Sequence, residues 1–321
     1  TSWTTIATIG VALMGIGQAM GYSEGWIAGA IISGAYFGDK VSALSDTTVL
    51  ASAASKVPLF EHIKYMMITT VPSFTIALIV FFGISFFQTP QQATQIELIS
   101  QTLHSSFNIS PWLLIVPIVT ALLILRKLPA LVTLFAATVV ACIAMVVLQP
   151  DIVATIGGQG ALGTFRGLMI ACSSTTAIET GDAMLNELVA TRGMGGMMPT
   201  IWLILCAMCF GGVMSGSGML SALTRLFMRF AKRTVSVVSS TIATGIFCNL
   251  TTADQYISII ITGNTFEDLY RQRGLEGRLL SRSVEDSATV TSVLIPWNSC
   301  GTTQSTVLGV ATTTYLPYCL F

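Results

Sequence analysis

Long apolar runs separated by short polar loops set the pattern of this chain. Met66–Phe87, Leu128–Leu148 and Pro199–Leu223 each reach the roughly 20 residues that a helix needs to cross a hydrocarbon core. Two basic clusters stand apart from them: Arg225, Arg229, Lys232 and Arg233, then Arg271, Arg273, Arg278 and Arg282. Lys and Arg in short loops mark the cytoplasmic side. Between the clusters lies Thr234–Phe266, a largely apolar stretch of 33 residues, and a single crossing would strand one cluster outside. Its middle reads N-L-T-T-A-D-Q, Asn249–Gln255. That leaves two arms of about 15 residues, each roughly 22 Å as a helix, against about 30 Å of hydrocarbon. The pattern predicts a re-entrant hairpin entering from the cytoplasm with its polar tip at mid-membrane. Such a tip is tolerated only inside protein or facing water.

The remaining segments follow the same orientation. Gln88–Ser110 has no Lys or Arg and is expected outside, whereas Lys56, Lys64, Arg126 and Lys127 are expected inside. Met66–Phe87 then runs outward, Pro111–Leu125 inward, Leu128–Leu148 outward and Pro199–Leu223 inward. Asp151–Met198, rich in Gly, Ser and Thr, must begin and end outside, and reads as an irregular, partly inserted excursion.

The two ends of the chain share an order of features: polar tip, apolar arm, loop, broken segment. About 37 residues after Ser2 comes G-D-K-V-S-A-L-S-D-T-T, Gly38–Thr48; about 35 residues after Thr251 comes E-D-S-A-T-V-T-S, Glu285–Ser292. The intervening loops differ in charge. Gly21–Gly25 has one Glu and no Lys or Arg, while Glu267–Arg282 is basic. Opposite orientation of two such halves is the pattern of an inverted repeat, which in transporters places broken helices around a midplane site. The predicted fold is an all-α polytopic membrane protein with inverted repeats, re-entrant hairpins and broken transmembrane helices. Residues 1–57 form the first tip, arm and broken helix. Residues 58–223 are continuous scaffold spans with the irregular segment 151–198, and residues 224–321 the second hairpin and broken helix.

Composition agrees with a membrane protein. The chain is 53% hydrophobic and 9% charged, against about 25% charged in soluble domains. The net charge is zero, and no basic face interleaved with aromatics speaks for nucleic acid. The seven cysteines form no CxxC or Cys/His cluster and read as small buried apolar residues. The sequence opens on Thr1 without a signal peptide and reads as a piece of a longer chain.

The chemistry is carried by acids in hydroxyl-rich, membrane-depth segments. A carboxylate at bilayer depth costs on the order of 3 kcal/mol or more, so it has a partner or a function. Asp39 and Asp46 are accompanied by Ser42, Ser45, Thr47 and Thr48; Asp286 by Ser287, Thr289, Thr291 and Asn298; Asp254 by Thr251, Thr252 and Gln255. Carboxylate, hydroxyl and carbonyl oxygens suit hard cations, and a broken helix frees carbonyls and half-helix ends to assist. A desolvated carboxylate holds a proton more tightly and releases it when a cation binds, so one group serving both ions in turn gives antiport. Asp39, Asp46, Asp254 and Asp286 are the candidate cation and proton acceptors, with those side chains and Ser2 in support. A cytoplasmic loop at Asp39–Asp46 is the plainer alternative. Glu285, beside Arg282, reads as its ion-pair partner. Glu179 and Asp182 either border a vestibule or lie in an external loop. His62, just before a span, reads as interfacial, where a pH-sensing role is conceivable. No nucleophile–base arrangement, phosphate loop or metal-ligand spacing appears, so no enzyme activity, cofactor or resident metal is expected beyond transported Na⁺ and H⁺.

S-G-A-Y-F-G-D-K-V-S-A-L-S-D-T-T (Ser33–Thr48) followed by L-F-E-H-I (Leu59–Ile63), P-T-I-W-L-I-L-C-A-M (Pro199–Met208), N-L-T-T-A-D-Q-Y (Asn249–Tyr256) and E-D-S-A-T-V-T-S-V-L-I-P-W-N-S-C-G (Glu285–Gly301) together resemble the NhaC-type Na⁺/H⁺ antiporters. The resemblance implies a bacterial or archaeal inner-membrane antiporter with inverted repeats. It also implies further helices before Thr1 and a short stretch after Phe321. The family includes exchangers of malate for lactate and of amino acids, so a small organic anion or amino acid coupled to Na⁺ or H⁺ is the alternative cargo. Lys40 is its one candidate mid-membrane cation. Membrane lipid is the expected surrounding, and a homodimer is left open. One departure stands out: Ala43 occupies the place where the family pattern has proline, which bears on how sharply the segment breaks.

Overall fold

Small and apolar residues give helices nearly throughout a computed structural model, with Pro72 and Pro199 accommodated inside two of the long ones. It describes residues 2–43, 45–86, 101–126, 130–176, 178, 186, 190, 193–220, 222, 225 and 233–321. The first arm consists of Ser2–Thr5 (α1), a π-helical turn at Ile6–Gly10 and Val11–Ala19 (α2). It ends at a turn where Gly21 takes a φ of +79°. Glu24–Val41 (α3) follows, and Asp46–Ala54 (α4) resumes after a break. Ser42 and Ser45 are extended, with φ/ψ of −84°/124° and −78°/130°. The break therefore forms without the proline, at serines, whose side chains compete with helical backbone pairing. Leu59–Ser85 (α5) is the first long helix.

Residues 91–198 make a compact unit of their own. It contains a 3₁₀ turn at Pro111–Leu114, Ile115–Leu125 (α6), Ala130–Leu148 (α7), Pro150–Gly157 (α8) and Gly160–Ser173 (α9). The chain bends by 99° between α7 and α8, where Pro150 disfavours a helical residue before it. The stretch from Asp151, irregular in the sequence reading, is thus helical as far as Ser173. A Cβ on Gly157 would lie 2.1 Å from the Gly163 carbonyl oxygen, so glycine lets α8 and α9 meet backbone to backbone. Glu179 and Asp182 lie outside the described residues.

The other unit joins residues 1–90 with 199–321. Its later part holds the bulk of Gly193–Gly216 (α10), then Thr234–Thr252 (α11), Gln255–Gln272 (α12), Gly277–Val284 (α13), a π-helical turn at Glu285–Thr289, Val290–Ser292 (α14), Ser299–Leu308 (α15), Thr312–Tyr315 (α16) and a closing 3₁₀ turn. Among the described residues no strand occurs. Leu59–Ser85, Gly193–Gly216 and Thr234–Thr252 are long and apolar enough to cross a membrane, and α7 with α8 makes a fourth if counted as one bent span. On α5 the buried residues are His62, Met66, Thr70 and Ala77, while Phe60, Ile76, Leu78 and Phe82 point outward. Polar groups inside and apolar groups outside is the arrangement a lipid solvent favours. The protein is an all-α membrane protein.

α11 and α12 fold back on one another, since Thr241 of one arm meets the Tyr270 hydroxyl of the other at 3.1 Å, well away from the tip. The arms are 19 and 18 residues, longer than the sequence reading gave. Asn249–Thr252 stays helical, with Thr251 and Thr252 donating to the carbonyls of Phe247 and Cys248. The break is confined to Ala253, left-handed at φ 55°, and extended Asp254. The buried face of α11 is Ser240, Thr244, Gly245, Cys248, Asn249 and Thr252, small residues that admit close helix contact.

Boundaries recur along this unit. A shift of 253 residues carries the helix starts at Ser2, Glu24 and Asp46 onto those at Gln255, Gly277 and Ser299, and the end at Ala19 onto that at Gln272. It also carries Gly21 onto Gly274, both with positive φ.

Candidate functional site

The acids gather where helices end or break. Asp39 and Lys40 occupy the last turn of α3, and both are buried. The Asp39 carboxylate accepts from the Ser2 backbone N–H at 2.9 Å, and its carbonyl accepts from the Thr48 hydroxyl at 2.8 Å. One residue on, the Lys40 ammonium donates to Asp286 Oδ1 at 2.6 Å. Thr69 of α5 donates to the other oxygen of Asp286 at 3.4 Å. Lys40 is 6% exposed and Asp286 29%, so the pair lies at the edge of the interior with the acid outermost. The Phe321 ring covers Lys40 at 5.0 Å and packs edge-on against Phe37 and Phe74. An aromatic face attracts the ammonium and keeps water from it.

Asp254 begins α12 as its cap. It accepts from the Ile257 N–H at 2.9 Å and from the Ser299 hydroxyl at 3.5 Å. Ser299, first residue of α15, also donates its N–H to the Ala253 carbonyl at 2.8 Å. The starts of α12 and α15 therefore meet at the hairpin tip. Helix starts carry partial positive charge, which favours a carboxylate there. Asp46, at the start of α4, is exposed, and together with Asp254 it lies near Tyr256.

The supporting residues divide in two. Gln255 accepts from Ser292 at 3.3 Å. Thr291 accepts from Asn249, which also donates to the Ala288 carbonyl at 2.6 Å. Asn298 donates to the Asn249 carbonyl and caps α15 by accepting from the Cys300 N–H. Ser45 and Thr47 pair with each other at 3.0 Å. Thr251, Thr252 and Ser287 instead bond back to their own helices, and Ser2 contributes its backbone, not its hydroxyl, to Asp39. Ser42 lies in the break after α3. Thr289 Oγ1 is buried without a partner.

The register of the two halves differs from the match of acid clusters seen in the sequence. The Ser2–Asp39 contact and the Gln255–Ser292 contact each span 37 residues, and the shift of 253 pairs Asp39 with Ser292 and Asp46 with Ser299. Asp286 pairs with Ser33, a turn or two earlier. Only one acid of each pair is present, so the halves are chemically unequal.

Three residues carry more than the sequence suggested. Glu285 is not an ion-pair partner of Arg282, whose guanidinium lies over the Tyr65 ring at 5.1 Å. It is fully buried, and neither of its oxygens has a hydrogen-bond partner. His62 is fully buried among neighbouring helices, with Nδ1 2.8 Å from the Ser281 hydroxyl. Thr69 reaches Asp286 from a helix read only as scaffold; a T-T pair inside an apolar run is its one sequence signal. Among the described residues no cluster of His, Cys, Asp and Glu could hold a resident metal.

Broken helices whose ends carry acids and hydroxyls, set within an all-α membrane fold, define the class of ion-coupled membrane transporters. The pattern of the Na⁺/H⁺ antiporter family matches residues 34–321, and the chain belongs to that family. It is 33% identical to the Na⁺/H⁺ antiporter NhaC of Bacillus subtilis over all of this chain and 69% of the relative. It is 34% identical to NhaC of Alkalihalophilus pseudofirmus, covering 67% of that protein. It is 32% identical to the malate-2H⁺/Na⁺-lactate antiporter of Bacillus subtilis, covering 66% of it. The chain thus spans about two thirds of the length of these relatives. No solved structure matches it.

Proposed function

We propose that the protein exchanges Na⁺ for protons across a bacterial or archaeal inner membrane by alternating access. The observation that carries this reading is the Lys40–Asp286 pair, 2.6 Å long and 246 residues apart in sequence. It ties the end of one broken helix to the interior of the other, beside buried Asp39. An ammonium and a Na⁺ ion compete for the same carboxylate oxygen. Sodium binding at Asp286 displaces Lys40, whose ammonium then releases its proton; a proton returning to the Lys40 amine restores the pair and releases the sodium. Asp39, Asp46, Asp254 and Asp286 line the ion's route, with Thr69, Thr48 and Ser299 hydroxyls beside them.

The shift of 253 residues and the unequal charge of the two turns support two inverted halves, each with a hairpin tip and a broken helix. The α11–α12 hairpin is re-entrant in this reading. Relatives named as NhaC antiporters support Na⁺ and H⁺ as the ions. The alternative cargo, an organic anion as in the malate–lactate relative's name, needs a free cation, and Lys40 is engaged by Asp286.

The test is Na⁺-driven proton movement in proteoliposomes holding the full-length protein, read by an internal pH dye. Asp286→Asn should abolish it. Proton movement unchanged in Asp286→Asn, or absent in the wild type while a dicarboxylate is taken up, would overturn the reading.

A further inference from the structure

The least accessible carboxylate in the ion site has been given no role. Glu285 is 0% exposed, and both of its oxygens lack a hydrogen-bond donor. Its neighbours are Lys40, Thr47, Thr289 and Asp286. Lys40 is committed to Asp286 at 2.6 Å. Thr47 shares its hydroxyl with Ser45, and Thr289 Oγ1, itself 0% exposed, faces Glu285 without closing a well-formed hydrogen bond to it. The helices around Glu285 bring no substitute charge. α11 contains no Asp, Glu, Lys or Arg, and the charged residues of α12 stand in its last turns. Arg278 of α13 bonds Glu276, and Arg282 lies over the Tyr65 ring. On α4, Asp46 is exposed. On α5, the His62 Nδ1 bonds Ser281.

Buried carboxylates are paired or hydrogen-bonded, and an exception calls for an unseen partner such as an ion. The backbone here is a π-helical turn at Glu285–Thr289, a rare form concentrated at functional sites. It sets Glu285 and Thr289 one turn apart on the same face, with both oxygen groups unsatisfied.

We propose that Glu285, with the hydroxyls of Thr47 and Thr289, forms a second cation position for a small dehydrated alkali ion, Na⁺ or Li⁺, more enclosed than Asp286. Two carboxylate oxygens and two hydroxyls make an all-oxygen set suited to a hard cation. Zero exposure means that the ion enters without its water shell. Once its proton leaves, Glu285 adds a charge that Lys40, already balanced by Asp286, does not meet, and one monovalent cation taking the proton's place closes the difference. This deepens the antiport reading and rests on it: the transporter would hold two Na⁺ ions, one at Asp286 and one at Glu285.

The experiment is ²²Na⁺ equilibrium binding to the purified full-length protein, wild type and variants. The expected result is two Na⁺ per chain for the wild type and one for Glu285→Gln. Asp286→Asn should lose the other. Glu285→Asp should restore the second ion with weaker affinity. Two ions bound by Glu285→Gln would overturn this proposal alone, whereas no Na⁺ bound by the wild type would overturn the antiport reading as well. Should Glu285→Gln not fold, Thr289→Val decides. Loss of one hydroxyl ligand to a charge is expected to weaken one binding component roughly tenfold, with Thr289→Ser restoring it. Unchanged affinity in Thr289→Val overturns the proposal.

Discussion

Lys40, in the last turn of α3, and Asp286, in the π-helical turn after α13, form a 2.6 Å ion pair across 246 residues of sequence. The pair is uneven, with the ammonium buried and the carboxylate partly open. Removing one member of a buried pair leaves an uncompensated charge and costs about 3 kcal/mol. Sodium can fill the place that Lys40 vacates. Lys40→Ala should therefore unfold at lower temperature than the wild type in Na⁺-free buffer, and regain more of that loss on adding Na⁺, as a ligand of the folded state alone must do. Thermal unfolding in choline chloride and in sodium chloride measures both. An equal Na⁺ response in the two proteins would remove Lys40 as the competitor.

Asp39 separates charge from structure. Its carboxylate accepts from the Ser2 N–H, and an asparagine carbonyl can do the same. Asp39→Asn should fold with near-wild-type stability and lose most Na⁺-driven proton flux. Asp39→Ala leaves the buried N–H unpaired, at a cost of about 1–3 kcal/mol. Stability and flux measured on both variants check the distinction.

The acids stand out in the sequence because charge at membrane depth is conspicuous. Asp39 and the polar interruption at Asp254 follow from acids and hydroxyls breaking apolar runs, whereas the break after α3 forms at serines and without the proline of the family pattern. What escaped is what depends on contact. Glu285 stands three residues from Arg282, and only the packing of the π-helical turn against α11 shows that it turns inward while Arg282 goes to Tyr65. Thr69 and His62 lie on a long span whose inner face is decided by its neighbours. The register of the halves escaped because it resides in helix starts and in contacts such as Ser2–Asp39, not in matching acids.

Gly245 sets the closeness of α11 to the π-helical turn. A Cβ there would lie 2.3 Å from the Ser287 Oγ and 2.9 Å from its Cβ. Gly245→Ala should destabilise the protein by about 1–3 kcal/mol through overpacking. The same change made in a Ser287→Gly background should cost less, because both close atoms are gone. Equal losses in the two backgrounds, read by thermal unfolding, would show that the contact is not what constrains this position.

The α11–α12 hairpin sets a sharper question than the sequence posed. Arms of 19 and 18 residues are roughly 28 and 27 Å long at 1.5 Å per residue, close to the thickness of the hydrocarbon core. Length alone no longer forbids the tip from reaching the far side. Burial and charge still oppose it. Asp254 is 9% exposed and tied to Ser299, and the ends of both arms carry Arg233, Arg271 and Arg273, which hold short loops in the cytoplasm. In a background with the native cysteines replaced, Arg233→Cys and Arg273→Cys should both react with a membrane-impermeant maleimide in inverted vesicles and resist it in intact cells. Ala253→Cys at the tip should resist it in intact cells, or react only when a substrate ion opens the outer side. Strong labelling of Ala253→Cys in intact cells under all conditions would mean that the tip emerges into external solvent, and the hairpin would then be two full spans.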